Sequence, residues 1–289
     1  MAHARAQYYL GKSAEAVTAA KAALTLDADF LRSADFDEKE GPSNTMESAL
    51  YERGTFDDFQ PLPTLDFLDP KYSYLSADLD PSVHIFKAEE AHLILAEAYH
   101  ADNNLTDMKD SLNDLLAVIE DREVRDIDDT GETRGDQDNA VDDDIRPSNA
   151  SDTVNGRSGL VLDRSTDDVS IPSVSGTSLK SSDITSMAID DSSLELIYRT
   201  RQEVFIAEGI RFVDMGVKLV INENEILQND NVKDGDAGTI PVIPSFIDAI
   251  KKELDAFTYD KNTNTATTDV NVNAVLVANK SDESVLPFH

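Results

Sequence analysis

The strongest constraint in this sequence is the spacing of its small and apolar residues, which predicts two pairs of α-helices. In each pair the helical spacing is interrupted once, at a turn. Residues 1–26 contain "HARAQYYL" and "SAEAVTAAKAALTL", separated by Gly11, with Ser13 placed to cap the second helix. Residues 84–120 contain a second pair, in which Ala88, Ala91, Leu95 and Ala98 share one helix face and "NN" makes the turn. The pattern predicts a mostly α fold built from helical hairpins.

The first pair resembles half of a tetratricopeptide unit. That repeat places small and apolar residues at the positions that hold Gly11, Ala16, Ala20, Ala23 and Leu24 in this chain. An ordinary helical hairpin is the alternative, and its geometry differs little. The second pair lies well beyond one repeat length from the first, so the predicted repeats are not contiguous.

Between and after these pairs we expect long irregular loops and little β structure. Residues 32–82 are rich in proline, glycine and aromatic residues, which predicts an ordered loop region. Residues 120–190 begin with an acidic stretch and continue with short apolar runs, where a strand around Val169 and Ile171 is expected. We predict one domain over 1–289, with 32–82 and 120–190 as loop-rich insertions.

Charge and cysteine content exclude several classes of protein. The formal net charge is −32, which disfavours binding to nucleic acid and to anionic membrane surfaces. The chain has no cysteine, so it forms neither disulfides nor thiolate metal sites. The stretch from Asp126 to Gly131 begins like a calcium loop, but its twelfth position is Gln137 instead of a bidentate glutamate. No cofactor or metal is expected, because phosphate-binding glycine loops, nucleophile elbows and zinc motifs are all missing from the sequence.

The stretch "RTRQEVFIAEGIRFVDMGV", from Arg199 to Val217, mixes charges into an apolar pattern. We call it the signature segment. As one helix from about residue 193 to 221, it would align Tyr198, Phe205, Phe212 and Leu219 in one apolar stripe, and would bury charges beside them. The spacing allows Arg211 to pair with Glu208 or Asp214, and Gly209 to admit another backbone. We interpret these residues as an internal polar clamp.

The signature segment resembles the corresponding helix of the SusD/RagB family. The matching positions are Glu203, Val204, Glu208, Gly209, Arg211, Phe212, Asp214 and Met215. Two further stretches resemble that family in the same order, namely "KAEEAHLILAEAYHADNNLTDMKDSLNDL" from Lys87 and "IPVIPSFID" from Ile240. The chain departs from the family pattern at Val217, where an arginine is common, and in its lack of tryptophan and of the lipid-anchored cysteine.

The resemblance implies a SusD-like α-fold truncated at its N-terminus and a function without chemistry. Such proteins are lipid-anchored on the outer face of the outer membrane. There they capture a nutrient, usually a glycan, and deliver it to a TonB-dependent SusC-like transporter. The membrane contact would depend on an N-terminal lipid anchor that this chain lacks.

In the family the ligand site lies on loops outside the helical pairs, which correspond here to residues 32–82. The candidate ligand-binding residues are Tyr51, Phe56, Phe59, Tyr72 and Tyr74. The alternative for each aromatic residue is packing of the loop onto the helices. Two other functions stay open: a helical-repeat scaffold that binds only proteins, and a hydrolase that uses two carboxylates across a cleft.

Overall fold

The predicted N-terminal pair is formed by helices α1 (Ala2–Tyr9) and α2 (Ser13–Leu26), and the chain turns between them at Gly11, which has φ +68°. The structure is a computed structural model that describes residues 1–37, 41–42, 82–128, 153–155, 161–163, 168–206, 208–236, 238–254, 256–260, 262, 265–285 and 288. Helices hold most of the regular structure within these ranges, which confirms the mostly α prediction.

The second predicted pair is formed by α3 (Ala88–Ala101) and α4 (Leu105–Glu120). Asn104 ends the turn and accepts a hydrogen bond from the Asp107 amide at 3.3 Å, as an N-cap residue does. Helix α3 is buried on nearly every side, and α2 packs against it. It is therefore the central helix of the described part of the chain.

A two-stranded antiparallel sheet connects the two helical pairs. Strand β1 (Leu31–Ala34) pairs with β2 (Val83–Lys87), and Leu31 lies opposite Lys87. Strand β2 runs directly into α3, because Lys87 is its last residue and Ala88 begins the helix. This junction places the Lys87 side chain inside the protein, where it is fully buried.

The remaining described strands are short and form two sheets. Strand β3 (Val124–Asp128) pairs antiparallel with β6 (Asp168–Pro172), which is the strand expected around Val169 and Ile171. The other sheet has the order β5-β4-β8-β7 and contains β4 (Thr153–Asn155), β5 (Val161–Asp163), β7 (Phe257–Asp260) and β8 (Thr265–Thr268). Strands β4 and β8 run parallel, so this sheet joins the region of residues 120–190 to the C-terminal part.

The signature segment is not the single helix that its periodicity predicts. After α5 (Ser181–Ser186), helix α6 (Asp191–Val204) ends at Phe205, and a separate short helix, α7 (Arg211–Asp214), follows. Gly209, with φ +73°, lies in the turn between them, a conformation that only glycine adopts readily. The predicted apolar stripe is wrong beyond this turn, since Phe212 and Leu219 are 54% and 68% exposed.

The C-terminal part contributes three further helices to the described structure. They are α8 (Glu223–Gln228), α9 (Ser245–Asp248) and α10 (Val272–Ala278). Ile247, Leu276 and Val285 join a hydrophobic core that extends back to Ala4 and Tyr8 in α1. None of the helices within the described ranges is long and apolar enough to cross a membrane.

Candidate functional site

The two groups of residues predicted from the sequence have different outcomes. The loop aromatics Tyr51, Phe56, Phe59, Tyr72 and Tyr74 lie outside the described residues, so their role in ligand binding stays a prediction. Most of the calcium-like stretch that begins at Asp126 also lies outside the described residues. Four charged residues of the signature segment, Arg201, Glu203, Glu208 and Asp214, have buried side chains that take part in hydrogen bonds or ion pairs. We call these four residues, together with Tyr8, Tyr9, Lys87 and Glu97, the buried network.

The centre of the buried network is the ion pair between Arg201 on α6 and Asp214 on α7. The Arg201 Nε donates to Asp214 Oδ2 at 2.8 Å, and each side chain is 2% exposed. The Tyr9 hydroxyl donates to Asp214 Oδ1 at 3.0 Å and accepts from Arg201 Nη2 at 3.0 Å. This triangle joins α1 to both helices of the signature segment. The Asp214 charge helps to raise the pKa of Arg201, although burial of the guanidinium opposes this.

Aromatic rings enclose the Arg201 guanidinium. Its carbon lies 5.0 Å from the ring centroid of Tyr8 and 5.0 Å from that of Phe205, within the range of cation–π attraction. The Tyr8 ring also meets Phe288 edge to face, with centroids 5.0 Å apart. Residues near both ends of the sequence therefore meet at Tyr8, beside this arginine.

Glu97 on α3 is the most perturbed acid of the buried network. It is 1% exposed, and its Oε2 accepts a hydrogen bond from the Tyr8 hydroxyl at 2.5 Å. Burial raises the pKa of Glu97 from the usual 4.5 to about 7, although the Tyr8 hydrogen bond and the Arg201 charge oppose the shift. The carboxyl thus titrates near neutral pH.

Glu208 pairs with Lys87 and not with Arg211, which corrects the sequence prediction. The Lys87 Nζ donates to Glu208 Oε1 at 2.7 Å, and also to the backbone carbonyls of Val204 at 2.6 Å and Val174 at 3.2 Å. The lysine and glutamate side chains are 0% and 1% exposed. The turn after α6 explains the correction, because it carries Glu208 away from the helical position that would have faced Arg211.

Glu203 fixes the segment that precedes α5. Its carboxylate accepts from the Thr177 hydroxyl at 2.7 Å and from the Ser178 amide and hydroxyl at 2.8 and 2.7 Å. Burial raises the pKa of Glu203, while these hydrogen bonds oppose the shift. Glu203 therefore holds the chain at Thr177 and Ser178 in place through three hydrogen bonds.

Two more glutamates of α3, Glu89 and Glu90, are fully buried. Arg5 donates to both oxygens of Glu90 at 2.6 Å, and Arg122 donates to both oxygens of Glu89 at 2.8 and 2.9 Å. Such bidentate pairs hold α1 and the end of α4 against α3. Helical spacing within α3 does not reveal these pairs, because both arginines belong to other parts of the chain.

Arg211 and Gly209 differ from their predicted roles. Among the described residues Arg211 makes neither an ion pair nor a hydrogen bond, and burial lowers the pKa of its guanidinium to about 10. A side chain at Gly209 would meet nothing within 4 Å, so no backbone approaches there. The close approach occurs at Gly216 instead, where a Cβ would lie 2.3 Å from the Ser284 carbonyl oxygen.

The buried network is suited to fixing structure and not to contacting a ligand, since its charged groups are enclosed and hydrogen-bonded. No cluster of three or more potential metal ligands occurs within the described ranges. Comparison of the chain with protein-family models, curated proteins and solved structures found no match.

Proposed function

We propose that this chain is a non-catalytic nutrient-binding protein of the SusD/RagB kind. It would act at the cell surface and hand its ligand, a glycan or oligosaccharide, to a TonB-dependent outer-membrane transporter. In this proposal the natural protein is lipid-anchored on the outer face of the outer membrane.

The observation that carries the proposal is the meeting of the three family-like stretches. Lys87, which begins the first, forms the buried ion pair with Glu208 of the signature segment at 2.7 Å. A Cβ at Gly216, which belongs to the signature segment, would lie 3.0 Å from Cγ of Pro244 in the third stretch. Stretches of sequence that recur together in one family are expected to pack together, and these three do.

The helical pairs support the finer architectural proposal of tetratricopeptide-like hairpins. Helices α1 and α2 pack on each other, as do α3 and α4, and α2 packs against α3. The contact between hairpins involves the fully buried small residues Ala16 and Ala20, which allow close approach of a neighbouring helix.

The state of the buried carboxylates supports a role without catalysis. The side chains of the five glutamates and the aspartate described above are at most 2% exposed, and arginine, lysine or hydroxyl groups bind them. Carboxylates held in this way cannot flank a glycosidic bond, as a hydrolase requires.

The proposed test is isothermal titration calorimetry of the folded chain against a panel of oligosaccharides. We expect saturable binding that is lost in a Tyr72→Ala/Tyr74→Ala variant, since each stacked aromatic contributes apolar contact to a sugar face. Phe212→Ala is the matched control, because Phe212 is an aromatic residue 54% exposed outside the 32–82 region.

One result would decide against the proposal. If the folded chain binds none of the oligosaccharides, nutrient capture of this class is excluded, and the alternative of a protein-binding helical scaffold is preferred. If binding persists in the double-tyrosine variant and disappears in Phe212→Ala, nutrient capture stands but the ligand site lies outside Tyr72 and Tyr74.

A further inference from the structure

Exposed apolar side chains are concentrated in one short part of the described chain. Nine of the fourteen exposed large apolar side chains that the structure describes lie between residues 212 and 243. Among them, Leu219, Leu227 and Ile240 are 68%, 73% and 55% exposed. The other five, such as Leu10 and Leu26, are scattered singly, which is ordinary for a soluble protein.

Backbone pairing brings together two of the segments that carry these side chains. Lys218 and Val242 exchange two backbone hydrogen bonds of 2.9 Å in an antiparallel bridge, and the Ile221 amide donates to the Gly238 carbonyl at 2.8 Å. The two segments 217–221 and 238–243 therefore run side by side. We call this pair of segments, together with α8 between them, the apolar ribbon.

The residues that flank the apolar ribbon on both sides are buried. Met215 and Gly216, just before its first segment, are buried, as is Ile247 just after its second. Gly216 also lies directly against Ser284 and Pro244, so the chain is closely packed at the point where the ribbon begins. The apolar side chains of the ribbon are exposed to solvent, where a cluster of this kind marks an interaction surface.

The charges around the apolar ribbon select the type of partner. Between residues 218 and 238 there are two exposed lysines, Lys218 and Lys233, and five exposed acids, Glu223, Glu225, Asp230, Asp234 and Asp236. This part of the surface has a net charge of about −3, in a chain whose total is −32. A second copy would place like charges opposite each other, and an anionic membrane would be repelled.

We propose that the apolar ribbon is a docking site for a partner protein that presents an apolar patch bordered by lysine and arginine. The apolar centre would supply the binding free energy, and the acidic border would supply orientation and partner selection. This inference rests on the described surface alone and is independent of whether the chain captures nutrients.

The test uses a fluorescent synthetic helical peptide with leucines on one face and lysines on the other, followed by anisotropy in about 0.15 M salt, where long-range attraction is screened. We expect saturable binding by the wild type. A Leu219→Ser/Leu227→Ser/Ile240→Ser variant should bind at least about tenfold more weakly, because central apolar contacts dominate such interfaces. Leu10→Ser/Leu26→Ser is the matched control and should bind like the wild type.

A second pair of measurements isolates the charge requirement. A peptide with glutamates in place of the lysines should not bind, and Glu223→Gln/Asp230→Asn should weaken binding of the lysine peptide without loss of fold, since both side chains are exposed. Equal binding by the triple serine variant, or by the glutamate peptide, would overturn the proposal. So would a dimer in sedimentation experiments that dissociates in the triple variant, or binding to phosphatidylcholine vesicles that this variant loses.

Discussion

Asp214 accepts hydrogen bonds from the Arg201 guanidinium and the Tyr9 hydroxyl, and its side chain is only 2% exposed. Its removal would leave the Arg201 charge buried without its ion-pair partner, so Asp214→Ala should destabilise the protein by about 3–5 kcal/mol. Urea unfolding measures this directly. Asp248→Ala is the matched control: it breaks an aspartate–lysine pair whose side chains are about half exposed, and should change stability by at most about 1 kcal/mol. Equal effects of the two changes would contradict the buried role of Asp214.

Glu97 should make stability fall as pH rises. Its pKa is about 7 in the folded protein against a usual 4.5, so the folded state binds its proton more tightly than the unfolded state. The resulting stabilisation is complete below the unfolded pKa and is lost as pH rises through about 7. From about pH 5 to about pH 8 the loss should be about 2–3 kcal/mol.

The Glu97→Gln variant isolates this contribution, because the other titrating groups are common to both proteins. We expect its free energy of unfolding to rise relative to the wild type as pH increases across that window. A difference that is independent of pH would mean that Glu97 keeps the same charge in the folded and unfolded states.

Gly216 and Gly235 share a left-handed backbone, with φ +76° and +95°, but differ in surroundings. Alanine at Gly235 has open space and should cost only the backbone penalty of about 1–2 kcal/mol. Alanine at Gly216 must in addition displace the Ser284 backbone, so its melting temperature should fall clearly further. Similar melting temperatures for the two variants would show that the Ser284 backbone moves away from position 216 at little cost in free energy.

At the scale of single residues, the sequence predicts which charged side chains are buried better than it predicts the partners that they bind. Charges set into an apolar pattern mark Glu208, Arg211 and Asp214 as clamp residues from local spacing alone. Glu208 pairs with Lys87, which is 121 residues away along the chain, and Asp214 binds both Arg201, 13 residues away, and Tyr9, 205 residues away. Local periodicity contains no information about contacts over such separations, and it therefore favoured Arg211 incorrectly.

At the scale of elements, the two hairpins follow from helical spacing, whereas the break in the signature segment does not. Its apolar residues keep helical spacing on both sides of Gly209, so periodicity continues where the backbone turns. The turn is stabilised by the contact of Glu208 with Lys87, which belongs to a different element. A tertiary ion pair thus overrides the local pattern.

Lys87, at the junction of β2 and α3, and Glu208, in the turn after α6, should be strongly coupled in their contributions to the free energy of unfolding. Lys87→Met or Glu208→Met alone breaks this buried ion pair and should cost about 3–5 kcal/mol. The double variant removes both charges, so its loss should be smaller than the sum of the single losses by about 2 kcal/mol. A double-mutant cycle from urea unfolding tests this, and additive losses would show that the pair contributes no coupling.

For the whole molecule, the dominant electrostatic quantity is the net charge of −32. Self-repulsion on this scale destabilises the compact state and is screened by salt. Raising sodium chloride from about 0.01 M to about 0.5 M should therefore raise the melting temperature by about 3 °C, the shift expected for about 2 kcal/mol in a chain of this length. Sucrose at matched osmolality is the control for non-ionic effects. A melting temperature that falls with salt would mean that attractive ion pairs outweigh the repulsion.

The ring contact between Tyr8 and Phe288 constrains when the protein can finish folding during its synthesis. A ribosome adds roughly 5–20 residues each second, so Tyr8 is made tens of seconds before Phe288. Throughout that interval the first helix lacks one of the groups that enclose Tyr8, and the environment of Glu97 is incomplete. The acidic N-terminal half of the nascent chain must therefore stay soluble until Phe288 has been added. A premature stop a few codons upstream would release a protein that lacks the contact between Tyr8 and Phe288.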